Sequence, residues 1–160
     1  MSKILPILFI SLILSACAGM PASTQVPEPL ETPADSTSTA CSSPSTWKIQ
    51  YNRSGGFAGF NESLTLDNGG RLKIESERPP TDAERLLSDD QVKAITDLLV
   101  QACPFEIPAD KGACADCFLY DLNIQMDGQM YSVQATDVTL TEDLNPLVSA
   151  LSQLLQDTAQ

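Results

Sequence analysis

The amino-acid sequence predicts an α+β domain in which an antiparallel sheet of four to five strands carries two helices on one face. Several short segments alternate apolar and polar residues, which is the pattern of half-buried strands. Two other segments repeat apolar residues at helical intervals. The patterns follow the order β-β-β-α-β-β-α, and two hairpin-then-helix units in tandem indicate one core between two layers.

The first strand is predicted at the start of the domain, which we place at residues 47–160. Trp47, Ile49 and Tyr51 alternate there with polar residues. A glycine-rich segment at residues 54–59 follows and separates this strand from the next. A chain of this length forms one small domain and is too short for two.

The second and third strands form a hairpin whose register depends on the length of its loop. A loop at 68–70 pairs Leu66 with Leu72 and Leu64 with Ile74, so that all four side chains share one face. A two-residue loop would instead place the leucines opposite basic residues. We therefore expect three loop residues, with a glycine in the left-handed conformation.

The first helix is predicted from a capping box and an apolar stripe. Ser88 stands three residues before Gln91, which is the capping-box spacing. The stripe that follows consists of Val92, Ile95, Leu99 and Ala102. Because proline cannot continue a helix, we expect this helix to end at Cys103-Pro104.

The second hairpin is predicted from residue 118 onward. Every second residue of 118–126 is apolar, and the Asp-Gly pair at 127–128 is a strong signal for a type I′ turn. The two-residue loop then keeps the apolar residues of both strands on one face. The resulting apolar pairs are Ile124–Tyr131 and Leu122–Val133.

The second helix is predicted after Asn145-Pro146, which is typical of an N-cap followed by proline at the first helical position. Its apolar stripe consists of Leu147, Leu151, Leu154 and Leu155. With both helices on one face of the sheet, the other face must be polar. The residues that supply this polarity are Lys48, Gln50, Asn52, Thr65, Lys73, Asn123 and Gln125.

The N-terminus predicts export of the protein. Lys3 precedes an apolar run at residues 4–14, which is typical of a secretory signal peptide and too short to span a bilayer. The run ends in Leu-Ser-Ala before Cys17, and this sequence resembles the lipobox of bacterial lipoproteins. We expect a signal peptide at 1–16 and a lipidated Cys17; the alternative is an ordinary signal peptide with a chance cysteine.

Residues 17–46 are predicted to form a lipidated, disordered tether. The segment is rich in Pro, Ser, Thr and Ala and cannot bury enough surface to offset its ordering entropy. Two or three acyl chains, such as palmitate, hold a protein stably at a membrane. The expected location is therefore the bacterial cell envelope, facing the periplasm or the exterior, with membrane contact through the lipid anchor only.

The charge of the chain argues against nucleic acid as a partner. The chain has 9 Lys and Arg against 21 Asp and Glu, so loss of Lys3 with the signal peptide leaves a net charge of −13. No residue after Lys111 is basic. Nucleic acid and anionic lipid head groups are poor partners for such a surface, whereas solubility or a cationic partner surface fits it.

Four cysteines besides Cys17 are expected to form disulfide bonds. In an oxidising compartment an even number indicates two bridges with three connectivities. We favour a bridge from Cys103 to Cys114 or Cys117, with the remaining cysteine bonded to Cys41, because this would hold the 104–116 loop against the helix. A local Cys114–Cys117 bridge is the alternative.

The chain is not expected to be an enzyme. Its Cys-x-x-Cys motif precedes a strand rather than a helix, and Asp116 within it disfavours a reactive thiolate. A four-cysteine zinc site would need a second such pair. Histidine, a phosphate-binding loop and a nucleophile elbow are absent from the sequence. We therefore expect a binding protein without a metal or cofactor.

The segment at residues 51–59, YNRSGGFAG, resembles the signature of the emfourin family of small proteins, which inhibit thermolysin-type zinc metallopeptidases. The resemblance continues through the capped helix, Phe105-Glu106-Ile107-Pro108, the aromatic strand 118–122, the Asp-Gly hairpin and the leucine-rich last helix, and it covers residues 47–160. The chain departs from the family pattern in its lipid anchor and tether, its four additional cysteines and the cysteine-bearing loop before the aromatic strand.

The resemblance implies a tethered lipoprotein that binds and inhibits an extracytoplasmic thermolysin-type metallopeptidase; the alternative is a non-inhibitory cell-envelope interaction protein. Consecutive glycines expose backbone groups that a substrate cleft can pair with, and Phe57 would add an apolar anchor. Alternatively, the glycines only reverse the chain while Phe57 and Phe60 cover the core. The expected contact residues are Arg53, Ser54, Gly55, Gly56, Phe57, Ala58 and Gly59.

Overall fold

A single antiparallel sheet of six strands and two helices make up residues 41–106 and 114–157, the ranges that this computed structural model describes. The elements are β1 (Trp47–Gly55), β2 (Phe60–Asp67), β3 (Arg71–Glu77), β4 (Pro80–Leu86), α1 (Asp89–Ala102), β5 (Phe118–Met126), β6 (Gln129–Thr136) and α2 (Asn145–Gln156). The strands lie in the order β4-β3-β2-β1-β5-β6. This architecture confirms the predicted α+β class. The predicted lipidation site Cys17 lies outside the described residues.

The predicted sheet of four to five strands was too small because β4 was not recognised. β4 lies at an edge of the sheet, pairs with β3 and leaves most of its side chains exposed. Its first residue, Pro80, is tolerated there because an edge strand needs fewer backbone donors. A polar edge strand has no apolar alternation, so the pattern that revealed the other strands is missing here.

Both helices pack on one face of the sheet, as predicted. Trp47, Ile49 and Tyr51 of β1 are buried on this face. The indole Nε1 of Trp47 donates to Thr96 of α1 at 2.9 Å, and the Tyr51 hydroxyl shares a 2.7 Å hydrogen bond with Ser152 of α2. The seven polar residues predicted for the opposite face are all exposed or half-buried.

The predicted hairpin registers and turns are confirmed. Gly70 has a φ of +80°, as expected for the left-handed position of the 68–70 loop. Asp127 and Gly128 have φ values of +46° and +86°, which a type I′ turn requires. The pairs on the apolar face are Leu66–Leu72, Leu64–Ile74, Ile124–Tyr131 and Leu122–Val133.

The start of α1 is confirmed and the start of α2 is corrected. The Ser88–Gln91 capping box is present. Asn145, however, is not the N-cap of α2, because Leu144 occupies that position without a side-chain cap. The turn before the helix instead accepts hydrogen bonds from backbone N–H groups at the helix start. The Leu144 N–H donates to the Thr141 hydroxyl at 3.3 Å, and the Asn145 N–H donates to the Thr141 carbonyl at 3.0 Å.

Residues 41–46, which the sequence assigned to the tether, are joined to the domain. The backbone N–H groups of Ser45 and Thr46 donate to the Asp127 carboxylate at 3.0 and 2.9 Å. Cys41 is disulfide-bonded to Cys103, just beyond the end of α1. The folded unit therefore includes the residues from Cys41 onward that the structure describes.

The disulfide pairing differs from the one favoured by the sequence. Cys41 bonds to Cys103 and Cys114 bonds to Cys117, with Cα–Cα distances of 5.9 and 5.5 Å. The local bridge, considered only as the alternative, is the one the structure contains. The physical reason is the position of Cys41, which the attached N-terminal segment places beside the end of α1.

Candidate functional site

The predicted contact residues, 53–59, form the last three residues of β1 and its connection to β2, and we call them the Gly-rich loop. Gly55 pairs with Phe60, and residues 56–59 join the two strands. The Gly59 N–H donates to the Gly56 carbonyl at 3.0 Å and closes the turn. Gly55, Gly56 and Gly59 have φ values of +93°, +67° and +62°, a region that residues with a Cβ rarely adopt.

Phe57 projects into solvent from the tip of this loop. Its exposed fraction is 95%, so the interpretation in which Phe57 covers the core is wrong. Phe60, which that interpretation also placed over the core, is half-buried near the ring of Phe118, at 6.1 Å between centroids. Full burial of a phenylalanine side chain contributes roughly 1.5–3 kcal/mol to stability. Because Phe57 is exposed, it does not contribute this free energy to the folding of the domain.

The start of β5 supports the Gly-rich loop from one side. The Gly56 N–H donates to the Cys117 carbonyl at 3.1 Å. A Cβ at Gly55 would lie 2.7 Å from the Cys117 carbonyl oxygen, and a Cβ at Gly56 would lie 2.9 Å from the Phe118 ring. Glycine is therefore required at both positions for two reasons: the turn needs positive φ values, and the start of β5 leaves no room for a Cβ.

Arg53 supports the loop from below rather than standing at its surface. It is 8% exposed and forms a buried ion pair with Glu62, with its Nε 2.9 Å from the Glu62 carboxylate. Its guanidinium also lies 4.8 Å from the centroid of the Phe118 ring. The prediction of Arg53 as a contact residue is corrected accordingly, and Ser54 is half-buried. The exposed part of the loop is Phe57, Ala58 and Gly59.

Asp137 holds the other side of β5. Its carboxylate accepts from the Phe118 N–H at 2.7 Å and from the Tyr120 hydroxyl. Burial, and then the bond to this carboxylate, raises the pKa of Tyr120 well above its usual range. Tyr51 stacks on Tyr120 at 6.3 Å between centroids, and burial raises its pKa to about 12. Both phenols therefore remain protonated at neutral pH and serve as fixed walls.

A cleft of about 580 Å³ opens between this aromatic wall and α2. Arg53, Phe118, Tyr120 and Asp137 line one side of it. The side from α2 is mainly polar and includes Ser149, Ser152, Gln153 and Gln156. The cleft shares Arg53 and Phe118 with the support of the Gly-rich loop, so both belong to one end of the sheet.

The sequence analysis did not assign Glu62, Phe118 or Asp137 to this site. Glu62 shares the apolar face of β2 with Leu64, and Arg53 shares the apolar face of β1 with Tyr51. Arg53 and Glu62 each continue the apolar side of an alternating strand pattern and carry opposite charges. This was a signal for a buried ion pair, since isolated buried charges are unfavourable. Asp137 follows β6 in a turn and had no such signal, and Phe118 was recognised only as a strand residue.

The chain matches no protein-family model, and no curated protein is significantly similar to it. Within residues 41–106 and 114–157, no group of three or more His, Cys, Asp or Glu side chains could hold a metal ion. In the same ranges no helix has the length and apolar character needed to cross a membrane. The geometry at this end of the sheet offers an apolar side chain on a supported loop beside a polar cleft.

Proposed function

We propose that this domain is a binding module that presents Phe57 on the Gly-rich loop to a thermolysin-type metallopeptidase and inhibits that enzyme. The observation that carries the proposal is the 95% exposure of Phe57 at the tip of the loop. The resemblance of residues 51–59 to the emfourin signature supplies the class of the partner. No catalytic role is assigned to this chain.

The support beneath the loop favours tight binding. A partner that orders a flexible loop loses part of the contact energy to conformational entropy, whereas a pre-ordered loop avoids this loss. Here the loop is held by the Gly56–Cys117 hydrogen bond and by the packing of Arg53 on Phe118. No described residue accepts a hydrogen bond from the N–H groups of Phe57 and Ala58. A peptide-binding cleft can pair with these free groups, as in strand addition.

The position of the N-terminal segment is compatible with this role. Ser45 and Thr46 are held at the hairpin turn of Asp127, next to the first residue of β1. The Gly-rich loop lies at the other end of this nine-residue strand, roughly 25–30 Å away at the rise of a β-strand. We further propose that the chain is anchored in the cell envelope through a lipidated Cys17. Within the domain, Phe57 lies at the end of β1 opposite Ser45 and Thr46.

Inhibition assays on the mature protein test the proposal. The protein is mixed with a panel of thermolysin-type peptidases, and slowing of peptide cleavage at stoichiometric concentration is the expected result. Phe57→Ala should weaken inhibition strongly, whereas Met130→Ala should not, because Met130 is also an exposed apolar residue (63%) but is the second residue of β6, at the other end of the sheet. A panel without any inhibition removes the peptidase as partner. Phe57-dependent binding without inhibition favours the non-inhibitory envelope interaction.

A further inference from the structure

The peptide unit between Cys117 and Phe118 connects the Gly-rich loop to the rest of the site. Its carbonyl accepts from the Gly56 N–H at 3.1 Å, and its N–H donates to the Asp137 carboxylate at 2.7 Å. The Cys114–Cys117 disulfide closes a tight turn immediately before this unit. The peptide unit that supports the loop is therefore adjacent to a disulfide bond, which can be broken and re-formed.

We propose that the Cys114–Cys117 disulfide is a redox latch for the Gly-rich loop. In the oxidised state the disulfide holds the Cys117 carbonyl against Gly56, and the loop presents Phe57 in a fixed conformation. Reduction frees residues 114–117, releases the Gly56 N–H and weakens binding of the partner. This inference rests on the proposed function, because it describes the regulation of the same surface.

The contacts of Cys117 explain why the bridge matters at this position. Cys117 precedes the first residue of β5 and lies one position beyond the last pair of the β1–β5 ladder, Gly55–Phe118. Its carbonyl fits against Gly55 so closely that a Cβ there would approach it to 2.7 Å. Such a fit requires a fixed carbonyl, and a turn closed by a disulfide between residues three apart provides it.

Differences in exposure make this bridge the first target of a reductant. Cys114 is exposed, whereas Cys41 and Cys103 of the second bridge are both half-buried. Thiol–disulfide exchange depends on access of the attacking thiolate to a sulfur atom. A reductant in solution should therefore open the Cys114–Cys117 bridge before the Cys41–Cys103 bridge.

The reaction requires a dithiol reductant of the thioredoxin-like class. One of its thiolates attacks the Cys114 sulfur, the bond between the two cysteines breaks, and the electron pair remains on the Cys117 sulfur, which takes up a proton. The second thiolate then attacks the reductant's own sulfur in the mixed disulfide and releases Cys114, which is also protonated. The domain gains two electrons and two protons, and the reductant leaves as a disulfide.

Hydrogen exchange at Gly56 tests the latch. Two matched variants of the mature protein are compared with the wild type: Cys114→Ser/Cys117→Ser, and Cys41→Ser/Cys103→Ser as the control at the opposite end of the sheet. Amide exchange at Gly56 should be about tenfold faster in the first variant and unchanged in the second, since loss of one local hydrogen bond lowers protection locally. Equal exchange at Gly56 in the wild type and the first variant overturns the proposal.

Graded reduction of the wild-type protein with dithiothreitol provides the second measurement and does not depend on folding of a variant. Alkylation and mass spectrometry should find Cys114 and Cys117 modified first, with faster exchange at Gly56 and unchanged exchange in β2 and β3. Modification of Cys41 and Cys103 first would contradict the proposed order. Both readouts are independent of any partner, so a failure of the inhibition assay with a normal Gly56 response rejects the proposed function and leaves the latch intact.

Discussion

Replacing Glu62 by glutamine should destabilise the domain strongly, because it leaves Arg53 buried without an opposite charge. Both side chains of this ion pair are only 10% exposed. Removing one partner of a buried pair costs about 3–5 kcal/mol, whereas an exposed pair is worth about 0–1 kcal/mol. Glutamine retains the shape and one carbonyl oxygen for the Arg53 guanidinium, so we expect the lower end, about 3 kcal/mol.

This cost is a large share of the roughly 5–15 kcal/mol that stabilises a domain of this size. Urea unfolding with linear extrapolation measures it directly. Glu75→Gln is the matched control, because Glu75 forms an ion pair with Lys73 in which the side chains are 58% and 44% exposed. The control should change the free energy of unfolding by less than about 1 kcal/mol.

The double variant Arg53→Met/Glu62→Leu separates the charge from the packing. Apolar residues of similar volume often replace a buried ion pair without loss of stability. We therefore expect the double variant to regain most of the stability lost by Glu62→Gln. A Glu62→Gln protein as stable as its Glu75→Gln control would refute the reasoning, because the Arg53 charge would then not be buried in solution.

Three further predictions concern the loop, the buried tyrosines and the anchor. Phe57→Ala should leave the free energy of unfolding within about 0.5 kcal/mol of wild type and weaken partner binding by about 2 kcal/mol, as parallel urea and binding titrations can show. The free energy of unfolding should fall as pH rises above about 10, because tyrosine in the unfolded chain then loses its proton, whereas folded Tyr51 keeps its proton until about pH 12. The loss attributable to Tyr51 is roughly 2–3 kcal/mol by pH 12, and it should be absent in Tyr51→Phe. Cys17→Ser should yield an unlipidated protein that no longer partitions with membranes into detergent, and continued partitioning would contradict the lipobox.

Alternating apolar residues made most of the sheet predictable. Leu64, Leu66, Leu72 and Ile74 left one register that kept all four side chains on the core face, and the structure has that register. β4 could not be found in this way, because an edge strand contributes few side chains to the core. Its presence depends on backbone pairing with β3, which the side-chain pattern does not encode.

The candidate site was predictable in its position but not in its construction. The glycines indicated a turn between two strands, and single-sequence reasoning could not tell a contact loop from a simple reversal. What distinguishes them is the outward direction of Phe57 and the approach of Cys117 from β5, about 60 residues away along the chain. Such contacts depend on the order of strands in the sheet, which follows from tertiary packing rather than from local pattern.

The two disulfides should differ in their contribution to stability. In the chain-entropy relation, a bridge contributes by restricting the unfolded chain, and its contribution grows with the length of the loop that it closes. The Cys41–Cys103 bridge spans a sequence separation of 62, which corresponds to about 4 kcal/mol, whereas the Cys114–Cys117 separation of 3 corresponds to about 2 kcal/mol.

Urea unfolding of the two paired serine variants measures this difference. Cys41→Ser/Cys103→Ser should lose roughly 2 kcal/mol more than Cys114→Ser/Cys117→Ser, because the unfolded chain gains more freedom. The variant with the larger loss of stability should show the smaller effect on Gly56 exchange, because the Cys41–Cys103 bridge is remote from the Gly-rich loop. Phe105, two residues after Cys103, packs on Tyr131 near the turn between β5 and β6, at the other end of the sheet. An equal or larger loss in the Cys114→Ser/Cys117→Ser protein would mean that the local bridge supports the whole fold, and a role confined to the Gly-rich loop would then be wrong.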